Sequence, residues 1–340
     1  MTTVLEIELF GNCNLRCVMC AQQFPDRRQK AITFNEFTDI FGLYSDDKID
    51  YITLHGSGEV LLSPIFVDVL RFIPLGIPIR FLTNGTQIYK HADSLKFFAD
   101  KIDAIDISID ACTHEIYKKI RGGDFESTLS SIRSISLDHL FNSKLRLNFT
   151  YHKHNYQDIP LLATLANNLG IQRVALWPLV ESAPYISKKW EVKFNDPNAL
   201  SLFNYSQSIM HPDDPALLGN LSQLEEAALA SNVDVLFPDF YNFKDSEPLK
   251  PSDCPVVNYN RIYYSSGESK HCCLQTRPVF NWITDGIMKF ESAPRHSKII
   301  SELNQNKVPF ECEHSGCPYI SNFPHLEATL PSSVSFSHRG

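Results

Sequence analysis

The chain has 340 residues, 43% hydrophobic and 21% charged, the composition of an ordinary globular protein with material for a sizeable core and room for two domains. Its net charge of −8 sets a nucleic-acid backbone aside as main partner, and no stretch approaches the roughly 20 apolar residues of a membrane span. Met1–Glu6 lacks the basic and apolar regions of a secretory signal, so a reducing cytoplasm is expected, and nine cysteines, an odd number, argue against a closed disulfide set.

In chain order, short β runs alternate with helical stretches from residue 4 to about 180. Strands are expected at Val4–Leu9, Tyr51–Leu54, Ile77–Leu82, Ala104–Ile109, Leu145–Thr150 and Arg173–Trp177. Between them lie helix start signals. Thr33 followed by Glu36 reads as a capping box. Ser63-Pro64 places a Ser at the N-cap and Pro at the first helical position. A helix over Gln157–Leu169, preceded by Asn155, stops at Gly170. Successive β–α units predict an α/β fold with a parallel sheet, a partial (β/α)6 TIM-like barrel over residues 1–182 whose strand C-termini gather at one mouth. Residues 183–250, with Pro184, Pro197, Pro212, Pro215, Pro238 and Pro248, read as an insertion or linker holding one helix near Leu217–Ala230. Residues 251–322 carry five cysteines and form a small α+β extension, and 323–340 read as a flexible tail.

The first strand runs straight into Cys13, Cys17 and Cys20, spaced C-x3-C-x2-C. Three thiolates on one loop can hold three corners of a cubic iron–sulfur cluster, which wants four ligands. The fourth iron then stays open to a small molecule. A zinc knuckle needs four ligands in paired spacing, and no nearby His or Cys completes one. This loop resembles the cluster-binding signature of the radical S-adenosylmethionine (SAM) superfamily. The resemblance implies a 4Fe–4S cluster with SAM on the open iron, cleaved reductively to a 5′-deoxyadenosyl radical that takes a hydrogen atom from substrate. It also implies an electron donor of flavodoxin or ferredoxin type.

Further motifs resemble the same family. His55-Gly56-Ser57-Gly58-Glu59 follows the second strand and is similar to the family's Gly-Gly-Glu-Pro motif, with Ser57 and Val60 as departures. The resemblance assigns Gly56, Gly58 and Glu59 to SAM, with the Glu59 carboxylate on its amino group; glycine here lets a ligand approach the backbone. Thr83-Asn84-Gly85 ends the third strand, and Ser108 and Asp110 end the fourth; the resemblance places Thr83, Asn84, Ser108 and Asp110 near SAM. Tyr117-Lys118-Lys119-Ile120-Arg121-Gly122-Gly123 resembles a downstream family segment. Arg121 either pairs with a carboxylate or is a helix-terminal cation facing water. Met19 stands where the family usually has an aromatic residue near adenine; Met can fill that space.

Cys254, Gly267 and Cys272 match the opening of the family's C-terminal SPASM or twitch extension, which implies one auxiliary 4Fe–4S cluster. Cys254, Cys272, Cys312 and Cys317 are its expected ligands, with Cys273 the alternative; four thiolates alone fit zinc equally in kind. A hairpin is expected around Arg261–Glu268. Cys112, near the mouth, reads as a small buried hydrophobe or as a hydrogen-atom donor. His152, Lys153, His154 and Asn155 follow the fifth strand and are expected to face the mouth, and Asn148 could point inward.

The closest resemblance is to radical SAM/SPASM proteins of carbohydrate, aminoglycoside and modified-peptide biosynthesis. The expected function is hydrogen abstraction from a small polar metabolite of carbohydrate or aminocyclitol type, or from a peptide, giving oxidation or epimerisation with help from the auxiliary cluster. The short stretch ahead of Cys13 favours the small molecule. A peptide maturase forming cross-links is the alternative within the family. A non-catalytic iron–sulfur or zinc protein that senses redox state is the alternative outside it.

Overall fold

The computed structural model describes residues 2–20, 31–179, 208, 210–211, 213–237, 254, 260–271, 278–307 and 309. Ten strands form one unclosed sheet in the order β10-β9-β8-β1-β2-β3-β4-β5-β6-β7. The six expected parallel strands are β1 (Thr2–Ile7), β2 (Lys48–Leu54), β3 (Ile79–Thr83), β4 (Ile102–Ser108), β5 (Leu145–Tyr151) and β6 (Arg173–Pro178). Each pairs in parallel with the next, as a partial TIM-like barrel requires.

The helices between them are α1 (Phe34–Gly42), α2 (Phe66–Phe72), α3 (Ile88–Phe97), α4 (His114–Arg121), α5 (Phe125–Ser136) and α6 (Leu162–Asn168). Strand side chains alternate between faces. Leu5, Ile7, Ile52, Leu54, Phe81, Ile105, Ile107, Leu147 and Phe149 are buried in one core with helix residues such as Phe37, Leu70, Leu95 and Ile132. Glu8, Asp106 and Asn148 alternate with them, so the opposite face of the sheet is polar.

The capping box forms: the Glu36 amide donates to Thr33 Oγ1 at 3.2 Å and the Thr33 amide to the Glu36 carboxylate at 2.8 Å. Two helix starts differ from expectation. Ser63 does not cap α2, whose N-cap is Ile65, because Val60–Leu62 first makes a 3-10 turn and Ser63 closes it. The helix after Asn155 opens as a 3-10 segment over Tyr156–Leu161, because Pro160 has no amide to join an α-helical ladder.

Residues 213–237, within the expected insertion, form a helix and a strand. Asp214 caps α7 (Pro215–Ser231), Pro215 takes its first turn, and Asn232 ends it in the left-handed region at φ 53. β7 (Asp234–Leu236) then pairs in parallel with β6, so this stretch extends the sheet. The hairpin of β8 (Asn260–Tyr263) and β9 (Glu268–Lys270) forms around Gly267, at φ +94. It adds to the other sheet edge, with β8 parallel to β1. β10 (Phe280–Asn281) pairs antiparallel with β9, and α8 (Pro294–Asn304) follows. Among the described residues no helix is long and apolar enough to cross a membrane.

Candidate functional site

β1 delivers the three-cysteine loop to the strand C-termini. Among the described residues Cys13, Cys17 and Cys20 take part in no disulfide, and each is half-buried. The loop is held from two sides. On one, the Arg16 and Val18 amides donate to the carbonyls of Arg121 and Ile120 at 3.2 and 2.8 Å, so the loop lies along the end of α4. This gives the Ile120–Gly123 run a physical reason. Gly122 closes α4 at φ +71, and a Cβ on Gly123 would lie 2.8 Å from Leu15 Cδ2. On the other side, the Glu59 amide donates to the Asn12 carbonyl at 2.8 Å.

The Gly56–Glu59 turn is therefore packed against the loop. A Cβ on Gly58 would lie 2.0 Å from the Phe10 carbonyl oxygen and 2.6 Å from that of Asn12. One on Gly56 would lie 2.3 Å from Glu8 Cγ. The close approach these glycines permit is thus made by the protein's own loop and by Glu8, where the sequence pointed to a ligand.

Glu59 is 2% exposed, and its carboxylate accepts from Thr83 Oγ1 at 2.6 Å, the Asn84 amide at 2.6 Å and the Leu61 amide at 3.1 Å. Burial raises its pKa, opposed by those hydrogen bonds. An ionised carboxylate accepts at about four sites, so capacity for one more donor remains. Asn84 carries the network on: its Nδ2 donates to Asn14 Oδ1 at 2.9 Å and to Cys13 Sγ at 3.5 Å. The Leu15 amide also donates to Cys13 Sγ, at 3.4 Å.

Burial raises the Cys13 thiol and pushes Cys17 up to about 12, with Arg121 pulling Cys17 back down. Coordination to a metal deprotonates a thiol outright, so a cluster held by this loop would overcome the effect of burial. The residues fit an iron–sulfur cluster. Cys13 Sγ receives two N–H donors, the kind of contact that tunes such clusters. Among the described residues no three His, Cys, Asp or Glu side chains converge at single-ion distance.

Arg121 does not face water. It is 5% exposed, and its Nη1 donates to Asp110 Oδ2. Burial opposes the guanidinium charge, but Cys17 and Asp110 hold it firmly protonated. Asp110 adopts φ 53, and its Oδ1 accepts from the Thr150 amide at 2.7 Å, so both carboxylate oxygens are engaged within the protein. Ser108 is half-buried at the end of β4, opposite Asn148 on β5, and Met19 is half-buried on the cysteine loop.

The turn after β5 differs from expectation. His152 and Asn155 are fully buried. Asn155 donates to the carbonyls of Asp110 and Thr150 and accepts from the His152 amide at 2.7 Å, so it locks the turn. Burial lowers the His152 pKa to about 3, with His154 adding to the effect. Lys153 is exposed, and half-buried His154 contacts Ser208 Oγ at 3.2 Å. Asn148 is 8% exposed, on the polar face of the sheet, and its Oδ1 has no hydrogen-bond partner.

Cys112 is half-buried against the core. Burial and then the Asp158 charge raise its thiol well above the usual value, keeping S–H intact. Cys254 is 8% exposed within the hydrophobic core. Its expected companions Cys272, Cys273, Cys312 and Cys317 lie outside the described residues. Sequence reasoning missed Glu8 and Asp158. Glu8 continues the inward-facing alternation of β1 with a charge, and that was its one signal.

The chain is similar to known proteins in sequence and in fold. Residues 7–162 match the family model described as the Radical SAM superfamily. A probable GTP 3′,8-cyclase of Methanocella arvoryzae is 30% identical over 130 residues, 38% of this chain and 41% of that protein. The GTP 3′,8-cyclase of Limosilactobacillus fermentum is 31% identical over 152 residues, 42% of this chain and 44% of that one. The alignments thus span less than half of either relative. In fold, the chain is similar to Streptococcus suis SuiB bound to S-adenosylmethionine, at TM-score 0.61 and 17% identity over 88% of this chain and 68% of that one. It is equally similar to anSMEcpe with bound AdoMet and a peptide, at TM-score 0.61 and 16% identity over 96% of this chain and 92% of that one.

Proposed function

We propose, from the match of residues 7–162 to the Radical SAM superfamily model, that the chain is a radical SAM enzyme, that Cys13, Cys17 and Cys20 hold a 4Fe–4S cluster, that SAM binds beside it, and that a small polar metabolite loses a hydrogen atom there. The observation that carries this reading is the continuous network from Glu59 through Asn84 to Cys13 Sγ. It joins the residue suited to an ammonium group to the loop suited to a cluster. When bound, the cluster supplies the electron that cleaves SAM and so generates a hydrogen-abstracting radical.

The chain's own residues bind and orient. Glu59 offers its remaining acceptor site to the SAM amino group, and Thr83 and the Asn84 amide fix its carboxylate in place. Arg121, charged and buried beside Cys17, offsets negative charge building up on the cysteine loop. Ser108 stands where the second family contact to SAM is expected. Cys112, whose burial keeps the thiol protonated, is the candidate to return a hydrogen atom in an epimerisation.

The polar sheet face, with Asp106, Arg146 and Asn148, suits a small polar substrate of carbohydrate or aminocyclitol type. Cyclisation of a nucleotide is a second candidate reaction, since the curated relatives are named GTP 3′,8-cyclases. A second cluster on Cys254, Cys272, Cys312 and Cys317, and a flavodoxin- or ferredoxin-type donor, complete the proposal.

The test is anaerobic reconstitution with iron and sulfide, then dithionite and SAM. Wild-type protein should form 5′-deoxyadenosine and Cys17→Ala none. Iron near four per chain indicates one cubane and near eight indicates two. A non-catalytic redox protein would hold metal yet form no 5′-deoxyadenosine, and that outcome removes the proposal.

A further inference from the structure

We propose that Glu8 is a positioning residue that ties the Gly56–Glu59 turn to the β8–β9 hairpin, so that the C-terminal segment sets how tightly the turn holds SAM. The proposal rests on the SAM-binding reading of Glu59 and adds a control on it from elsewhere in the chain.

Glu8 is 3% exposed, just past the end of β1. Its Oε1 accepts from the Ser57 amide and from Ser57 Oγ, the latter at 2.6 Å. Its Oε2 accepts from the Ser265 amide at 3.0 Å and Ser265 Oγ at 2.6 Å. All of the roughly four acceptor sites of a carboxylate are therefore filled. The donors come from two turns far apart in sequence, one carrying Glu59 and one opening the hairpin.

Packing alone does not call for this residue. A buried carboxylate is tolerated only when donors satisfy it, and an apolar side chain would fill the space more cheaply. Gly56 reinforces the point, since a Cβ there would lie 2.3 Å from Glu8 Oε1. The turn has given up a side chain so that the carboxylate can reach Ser57. The Glu8 amide donates to the Tyr263 carbonyl at 2.9 Å, so backbone and side chain both grip the hairpin strand. Two residues beyond Ser57, the Glu59 amide is pinned to Asn12 of the cysteine loop at 2.8 Å. A shift of Ser265 therefore reaches Ser57 through one carboxylate, and from Ser57 it reaches Glu59.

The experiment compares wild type, Ser265→Ala and Glu8→Gln. Before cluster loading, hydrogen exchange by mass spectrometry follows the peptide containing Ser57. After loading, KM for SAM and kcat are measured from 5′-deoxyadenosine. Ser265→Ala removes one donor to a charged acceptor and should speed exchange at Ser57 and raise KM for SAM about tenfold, with kcat changed less than about twofold. Glu8→Gln keeps the size but turns an N–H₂ group toward donors, and should do more of both. If Ser265→Ala lowers the melting temperature yet leaves exchange at Ser57 and KM at wild-type values, Glu8 is only a structural staple and the proposal is overturned. If the wild type forms no 5′-deoxyadenosine, the SAM reading itself fails, while the exchange result still decides whether hairpin and turn are coupled.

Discussion

Replacing Arg121 by Met tests the buried pair that anchors the cysteine loop. Arg121 and Asp110 are 5% and 3% exposed, so neither charge has water to turn to. Without Arg121, Asp110 keeps a single backbone donor, the Thr150 amide at 2.7 Å. Breaking one side of a buried pair costs about 3–5 kcal/mol, because a charge is left uncompensated. Surface pairs are worth only about 0–1 kcal/mol. The second variant, Arg121→Met with Asp110→Asn, removes both charges, and an amide oxygen can still accept from Thr150. It should recover about half or more of the loss, on the order of 2 kcal/mol. Urea melts followed by circular dichroism on Arg121→Met, Asp110→Asn and the double variant give the values of the cycle. A cost below about 1 kcal/mol for Arg121→Met would place the guanidinium in an effectively solvated setting and refute the buried-pair reasoning.

Two more outcomes follow from the same geometry. Gly58→Ala pushes a methyl onto the backbone of Phe10 and Asn12, which cannot rotate away. It should cost about 3 kcal/mol, the upper end for overpacking, and lower both the melting temperature and the iron retained per chain. His152 has a pKa lowered to about 3, so the folded state resists a proton that the unfolded chain accepts near 6.5. Stability from this group is present above about pH 6.5 and is lost as pH falls toward 3, by about 1.4 kcal/mol per unit. The melting temperature of wild type should fall more steeply than that of His152→Gln between pH 7 and 5; parallel curves would exclude His152 as the source.

Much of the fold was legible in local patterns. The period-two runs gave the six parallel strands because a strand buried on its helix side must alternate. Thr33 and Glu36 announced the start of α1, since a capping box needs only neighbours in sequence. The α2 start was misread for the complementary reason. Ser63-Pro64 has the local chemistry of a helix cap, but the Glu59 side chain already accepts from the Leu61 amide and starts a 3-10 turn first.

By itself, the sequence determined the chemistry on offer. Cysteine spacing, the glycine-bearing turn and the Thr83–Gly85 turn identify thiolates, a carboxylate and their order along the chain, since each is carried by residues a few positions apart. Tertiary structure alone decided the partnerships. It spent both oxygens of Asp110 on Arg121 and Thr150, withdrew His152 and Asn155 from the mouth, and set Glu8 between Ser57 and Ser265. Those choices depend on which buried donors lack water and which acceptor the sheet brings within reach. No local pattern holds that information, because the partners meet only when the sheet sets β8, β1 and β2 side by side and β4 beside β5.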